Sequence, residues 1–167
     1  SATYGPSVEP NRYSISSCTV DSDTQMSCTT VPGKGKNLQW SVTVGGQTPA
    51  SAYTTKTTSY LPPAINTAVK TGGAGTLTTA GTDTVDIGGT NFGPTCTGCI
   101  TATYGSNAGG TNYPTSGTIT CNVVTAHTKM VCNTVVGVGA NHGWVVTVEE
   151  QDSGAKSTAT VSYTPPA

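Results

Sequence analysis

The chain has 167 residues, of which 34% are hydrophobic and 9% are charged, and its formal net charge is -1. Because binding to a phosphate backbone needs a surplus of Lys and Arg, nucleic acid is not an expected partner. No apolar run reaches the roughly 18 residues that a membrane-spanning helix needs, so we expect no membrane span.

The first predicted elements are a β-hairpin and a strand. Residues 14–20 and 25–28 carry strand-forming side chains on either side of the polar turn 21–24, and this pattern predicts a hairpin. Residues 40–44, Trp-Ser-Val-Thr-Val, are apolar at every second position, which predicts a strand with one face on a core. The proline pair at 62–63 then ends this part, because proline cannot donate to a sheet ladder.

The same elements return later in the chain. Residues 118–132 repeat the hairpin, residues 144–148 repeat the alternating strand, and residues 165–166 repeat the proline pair. The motifs shared in the same order are Ala-Thr-Tyr-Gly, Cys-x-Val, a second Cys, Gly-x-Gly-x-Asn, Trp-x-Val-x-Val and Tyr-x-Pro-Pro. A repeat of this size is one folded unit copied, so we predict two domains, residues 1–62 and 63–167.

The two copies are unequal. The second is preceded by residues 63–100, which hold strand-like segments at 77–79 and 85–87, whereas the first begins with its Ala-Thr-Tyr-Gly at residue 2. We therefore expect the first unit to lack its opening strands. Short strands, frequent turn signals and almost no helix signals predict an all-β protein of β-sandwich architecture.

An even set of cysteines favours disulfides. They are Cys18, Cys28, Cys96, Cys99, Cys121 and Cys132. Each hairpin carries one cysteine on each of its strands, which favours the pairs 18–28 and 121–132 and leaves 96–99 by elimination. Disulfides indicate an oxidising compartment, so we expect an extracellular or cell-surface protein.

Zinc is the alternative for Cys96-x-x-Cys99, because this spacing is half of a common zinc site. The other half would be a second cysteine pair or a close histidine pair, and His127 and His142 stand far apart. A thioredoxin-like redox pair is disfavoured because no βαβ pattern surrounds the motif. We expect no metal and no cofactor.

Residues 89–94, Gly-Thr-Asn-Phe-Gly-Pro, precede the cysteine hairpin, the Gly-x-Gly-x-Asn loop, the Trp strand and Tyr-x-Pro-Pro. This combination resembles the IPT/TIG immunoglobulin-like domain family, and its paired cysteines and Thr-rich strands are similar to tandem arrays on extracellular proteins of protists and algae. The resemblance covers residues 63–167 and the later part of the fold in 1–62. It implies two tandem immunoglobulin-like (IPT/TIG) β-sandwich domains, the first lacking its opening strands, that act as a spacer, adhesive module or binding platform without catalytic residues.

Catalytic and calcium sites are not indicated. Nothing in the linear order singles out a serine with a histidine base and a carboxylate. Asp21 with Asp23 and Asp83 with Asp86 offer oxygen ligands, but they lack the spacing of an EF-hand, and turn chemistry accounts for the first pair. The acidic residues Glu149, Glu150 and Asp152 are interpreted as a solvated strand end.

The aromatic residues divide into two groups. Those that repeat, and that we assign to the core, are Tyr4, Tyr60, Tyr104, Tyr163, Trp40 and Trp144. Tyr13, Tyr53 and Tyr113 do not repeat cleanly and are the candidate interface residues. Threonine clusters at 54–58 and 78–79 are consistent with O-linked sugar on loops or with ordinary β-propensity.

The expected function is that of a non-enzymatic extracellular structural protein. Without its opening strands, the first unit should expose an apolar face and unpaired backbone edges, and about sixty residues form a marginal domain even with a complete core. A neighbouring copy or an upstream segment is expected to cover this face, and heterologous contacts of that kind propagate into a head-to-tail filament. The alternative is a cell-surface adhesion or carbohydrate-binding module that holds glycans with Tyr53 and Tyr113.

Overall fold

The computed structural model describes residues 1–15, 17–48 and 53–167, without the side chains of residues 53–55. Every regular element in this part of the chain is a β-strand, so the prediction of an all-β protein is confirmed. The strands are β1 (Ala2–Gly5), β2 (Tyr13–Ile15), β3 (Cys18–Ser22), β4 (Gln25–Cys28), β5 (Leu38–Val42), β6 (Tyr53–Thr58), β7 (Ala64–Lys70), β8 (Thr84–Thr90), β9 (Cys96–Ser106), β10 (Asn112–Tyr113), β11 (Ile119–Thr125), β12 (Lys129–Asn133), β13 (His142–Val148), β14 (Gln151–Asp152) and β15 (Thr160–Val161). The chain forms two compact units, unit one from Ser1 to Tyr60 and unit two from Leu61 to Ala167.

Unit two is built on one continuous antiparallel sheet of nine strands. Their order is β14-β13-β9-β11-β12-β8-β7, with β10 paired to β9 and β15 paired to β13. The long strand β9 lies at the centre, where Ala102 is opposite Ile119 of β11 on one edge and opposite Val146 of β13 on the other. Buried residues of β7 and of β13 belong to the same core cluster, so the sheet curls around a single core.

Leu77 joins the two ends of this curled sheet. It lies between β7 and β8 and forms a parallel bridge with Tyr163, and its side chain is fully buried. Leu77 N donates to Ser162 O, and Thr164 N donates to Leu77 O, both over 2.8 Å. The loop before β8 is therefore tied to the segment that follows β15.

The alternation predicted for residues 144–148 is present in β13. Trp144, Val146 and Val148 are buried, while Val145 and Thr147 between them are half-buried. Successive side chains of a strand point to opposite faces, so the apolar set faces the core.

Unit one is smaller and has two sheets. One has the order β2-β1-β5-β6, and the hairpin β3–β4 forms the other. Its buried core cluster consists of Tyr4, Ile15 and Leu38. Among the described residues of unit one, no strand corresponds to β7 or β8 of unit two.

Candidate assembly site

A cluster of tyrosines fills the core of each unit. In unit one Tyr4 Oη and Tyr60 Oη lie 2.5 Å apart, and Tyr60 Oη donates to Val31 O over 2.5 Å. Tyr104 Oη and Tyr163 Oη repeat the 2.5 Å separation in unit two. These four tyrosines are well buried or half-buried inside their units, in line with their assignment to the core.

Tyr13 and Tyr113 belong to the same clusters. Tyr13 lies opposite Tyr4 in the sheet, and Tyr113 lies opposite Tyr104. The prediction that Tyr13 and Tyr113 stand outside the repeat is wrong, and the signal that reveals them is their spacing, because each follows its partner tyrosine by nine residues. Tyr113 is 8% exposed, so its ring offers little contact surface, whereas Tyr13 is half-buried and its place at an interface stays a prediction. The side chain of Tyr53 lies outside the described residues.

The Gly-x-Gly-x-Asn loop of each unit packs directly on these tyrosines. A Cβ atom on Gly33 would lie 2.6 Å from Tyr60 Oη, and one on Gly137 would lie 2.6 Å from Tyr163 Oη. Such separations are too short for a carbon and an oxygen that are not bonded. Only glycine fits these positions, which explains why the motif appears in both units.

Burial sets the acidity of the tyrosine clusters. It raises the pKa of Tyr60, Tyr104 and Tyr163, because the phenolate would lose its hydration inside the unit. The hydrogen bond with Tyr4 raises the pKa of Tyr60 further. These hydroxyls therefore act as neutral hydrogen-bonding groups that hold the loops.

The two cysteine hairpins have the same pairing and different surroundings. Cys18 lies opposite Cys28 in β3–β4, and Cys121 lies opposite Cys132 in β11–β12, each with Cα atoms 4.2 Å apart and a disulfide between them. In unit two both cysteines are fully buried, whereas in unit one both are half-buried. The third disulfide joins Cys96 to Cys99.

Other residues of the two hairpins show the same contrast. Val123 and Met130 of unit two are 3% and 0% exposed. Val20 at the place of Val123 is 64% exposed, and Met26 at the place of Met130 is half-buried. The Cys-x-Val and Met-x-Cys pattern of the hairpin is retained in unit one, but in the described part of unit one no strand pairs with the outer edges of β3 and β4, as β9 and β8 do with β11 and β12.

The uncovered side of unit one forms an apolar groove, which we call the open face. It is a depression of about 580 Å³ whose apolar residues are Val20, Met26, Val42 and Val44, with the polar turn 22–25 at one side. Val44 is 59% exposed, while its counterpart Val148 is 2% exposed. The four apolar side chains of the open face lie beside the edge strand β4, whose outer edge has no paired strand among the described residues.

A small cavity in unit one lies beside the tyrosine cluster. It has a volume of about 80 Å³, and its lining includes Tyr4, Leu38, Thr58 and Tyr60. Tyr163 is the counterpart of Tyr60 in unit two, and Leu77 forms a β-bridge with it. Unit one has no residue that serves as Leu77 among those described.

The histidines have separate places in unit two. His142 is 3% exposed and takes the position that Leu38 holds in unit one, and its Nε2 lies 3.1 Å from Val138 O. A carbonyl oxygen only accepts, so Nε2 carries the proton. His127 lies in the turn between β11 and β12, where its backbone N–H donates to Gly93 O over 2.7 Å.

Asp83 and Asp86 each form an ion pair and accept hydrogen bonds. Asp83 pairs with Lys70 at 3.0 Å, and Asp86 pairs with Lys129 at 2.7 Å. Hydrogen bonds, chiefly from the Thr78 backbone to Asp83 and from Lys129 to Asp86, lower the pKa of both carboxyls. Within the described residues, no three His, Cys, Asp or Glu side chains are grouped as metal ligands would be.

Comparison of the chain with protein-family models, with curated proteins and with solved structures finds no match. The described part of the chain contains no helix that is long and apolar enough to cross a membrane.

Proposed function

We propose that the protein is an extracellular structural protein, a protomer of a head-to-tail filament built from tandem β-sandwich units of IPT/TIG type. In this proposal a neighbouring copy or an upstream segment covers the open face of unit one. The observation that carries it is the 64% exposure of Val20 against 3% for Val123 at the same place in unit two. One repeat unit is closed and the other is open.

The backbone supports the same proposal. Strand β12 pairs with β11 on one edge and with β8 on the other, while β4 pairs with β3 alone among the described residues. An unpaired edge beside an apolar face is the feature that strand addition uses, since main-chain hydrogen bonds give affinity and side-chain pockets give specificity. Unit two has already used its equivalent edge, so a contact between the open face of one copy and unit two of the next would join unlike surfaces, and contacts of that kind propagate.

The three disulfides support the proposed location. They suit an oxidising environment and a protein with small units, because a small core contributes little net stability by itself. A glycan-binding role based on Tyr113 has less support, because that ring is buried and offers no stacking face.

Electron microscopy of the oxidised chain, together with sedimentation, tests the proposal. Filaments whose formation is lost in the Val20→Asp variant are the expected result. Monodisperse monomers with unit one folded, or closed dimers at all concentrations, would contradict a head-to-tail filament.

A further inference from the structure

We infer that the open face of unit one binds an extended segment with the pattern Leu, seven residues, Val-x-Ile, as found at residues 77–87 of this chain. The inference rests on the proposed function, because it names the segment that completes the open face. Unit two shows how such a segment is seated on the equivalent hairpin, and the two hairpins share their disulfide and their register.

The pairing of β8 with β12 supplies the strand part of the pattern. Val85 lies opposite Cys132, and Ile87 lies opposite Met130, in antiparallel register. Both Val85 and Ile87 are fully buried. On unit one the same register places a valine opposite Cys28 and an isoleucine opposite Met26, where both residues would cover the open face.

The small cavity of unit one is the expected site for the leucine of the pattern. Its volume of about 80 Å³ lies beside Tyr60, the counterpart of the residue that Leu77 bridges in unit two. A cavity of this size exceeds the roughly 30 Å³ that one water molecule occupies and suits a single aliphatic side chain. Leu77 precedes Val85 by eight positions, which fixes the spacing of the pattern.

The two hairpins carry different charges, so we expect the segment that binds unit one to differ from β8 at one position. Asp86 of β8 is paired with Lys129, whereas Gln25 stands at the place of Lys129 in unit one. Asp21 of unit one also accepts a hydrogen bond from Ser27, the residue that the Asp86 position would face. An acidic residue between the valine and the isoleucine would have no cation opposite it, so we expect a neutral or basic residue there.

The occupant is a segment that is not already built into a closed unit. Val85, Ile87 and Leu77 of a second copy are fully buried in its own unit two, and their transfer would open that unit. The partner is therefore a polypeptide segment with the stated pattern that is free to extend along β4. A short peptide reproduces this chemistry.

The test uses the full oxidised chain, taken as monomer from size exclusion, and a labelled synthetic peptide of residues 76–91. Saturable binding measured by fluorescence anisotropy is expected, with new amide protection at residues 25–28. The control peptide carries Val85→Lys and Ile87→Lys and should bind at least tenfold more weakly. A peptide with Asp86→Asn should bind as tightly as the original or more tightly.

Three results would overturn the inference: no binding, equal binding of the control peptide, or protection confined to residues 129–133. Its failure can be told from failure of the proposed function by sedimentation of the chain without peptide. A chain that forms filaments but ignores the peptide refutes only the identity of the segment. A chain that binds the peptide at residues 25–28 but never self-associates refutes only the filament.

Discussion

Trp40 Nε1 donates a hydrogen bond to Thr58 Oγ1 over 2.9 Å in unit one. In unit two Val161 stands at the place of Thr58, and the buried Nε1 of Trp144 has no hydrogen-bond partner among the described residues. A buried donor without a partner costs about 1–3 kcal/mol. The same tryptophan N–H is therefore hydrogen-bonded in unit one and, among the described residues, left without a partner in unit two.

Restoring the hydroxyl in unit two should stabilise it. We expect Val161→Thr to raise the free energy of unfolding of unit two by about 0.5–1 kcal/mol, the usual contribution of one hydrogen bond less the loss of a buried methyl group. The matched change Thr58→Val should lower the stability of unit one by a similar amount. Urea titration with tryptophan fluorescence measures both, and a loss of stability in Val161→Thr would show that the indole does not engage the hydroxyl.

The Gly-x-Gly-x-Asn loop of unit two should not tolerate a side chain at Gly137. An alanine Cβ there would lie 2.6 Å from Tyr163 Oη, and 2.7 and 2.8 Å from two carbon atoms of the same ring. We expect Gly137→Ala to destabilise unit two by roughly 2 kcal/mol or more, because the ring must leave its hydrogen bond with Tyr104. Thermal unfolding gives the comparison, with the exposed Ser116→Ala as the control that should match the parent chain. A melting temperature unchanged in Gly137→Ala would contradict the packing described.

Aspartate at the two equivalent valines should change stability by very different amounts. Val123→Asp places a carboxylate in a core position that is 3% exposed, and we expect unit two to unfold or to lose several kcal/mol of stability. Val20→Asp changes a residue that is 64% exposed, so stability should change by less than about 0.5 kcal/mol. Circular dichroism and sedimentation on the same samples separate the outcomes. Equal destabilisation by both variants would mean that the open face is covered within the single chain.

Alkaline pH should unfold the protein through its tyrosines. The pKa of Tyr60, Tyr104 and Tyr163 is raised in the folded chain, so the folded state keeps protons that the unfolded state releases above about pH 10. Stability is then complete below pH 10 and falls as pH rises towards the folded pKa values. Urea midpoints at a series of pH values check this, and Tyr60→Phe should show a shallower decline. A midpoint that is constant well above pH 10 would contradict it.

Mild reductant should open the hairpin disulfide of unit one before that of unit two. Cys18 and Cys28 are half-buried, whereas Cys121 and Cys132 are 0% exposed, so thiolate attack reaches the hairpin of unit one first. Alkylation of the native protein at increasing reductant concentration, followed by peptide mapping, gives the order. Earlier modification of Cys121 and Cys132 would mean that unit two opens more readily than its burial indicates.

The sequence predicts the strands of this protein better than it predicts their exposure. The hairpins, the Trp strands and the disulfide register follow from local alternation and from the repeat, because both depend on neighbours in sequence. Val20 and Val123 sit in the same Cys-x-Val motif, but β11 and β12 of unit two lie between β9 and β8 in one sheet, whereas β3 and β4 of unit one form a sheet of their own. Pairing of this kind joins strands that are distant in the sequence, so local alternation does not reveal it.

The roles of Tyr13 and Leu77 show what the linear order conceals. Tyr13 contributes to a core cluster through a cross-strand pairing with Tyr4, and that partner becomes evident only when the nine-residue spacing is compared between units. Leu77 lies in the strand-like segment 77–79, but nothing in the linear order shows that it forms a bridge with Tyr163, far along the chain. Alternation in the sequence indicates which face of a strand a side chain lies on. The contacts of Tyr13 and Leu77 depend instead on which strands pair and on how the sheet curls.

The disulfide between Cys18 and Cys28 bears on the entropy of assembly. It holds β3 and β4 together while one side of the hairpin remains uncovered, so this hairpin does not have to become ordered when a strand arrives. Binding to a rigid receptor loses less conformational freedom than binding coupled to folding, and more of the contact energy remains as affinity. In the proposed assembly, the covalent bond would make unit one a preorganised receptor that binds a strand more tightly than a loose hairpin with the same side chains.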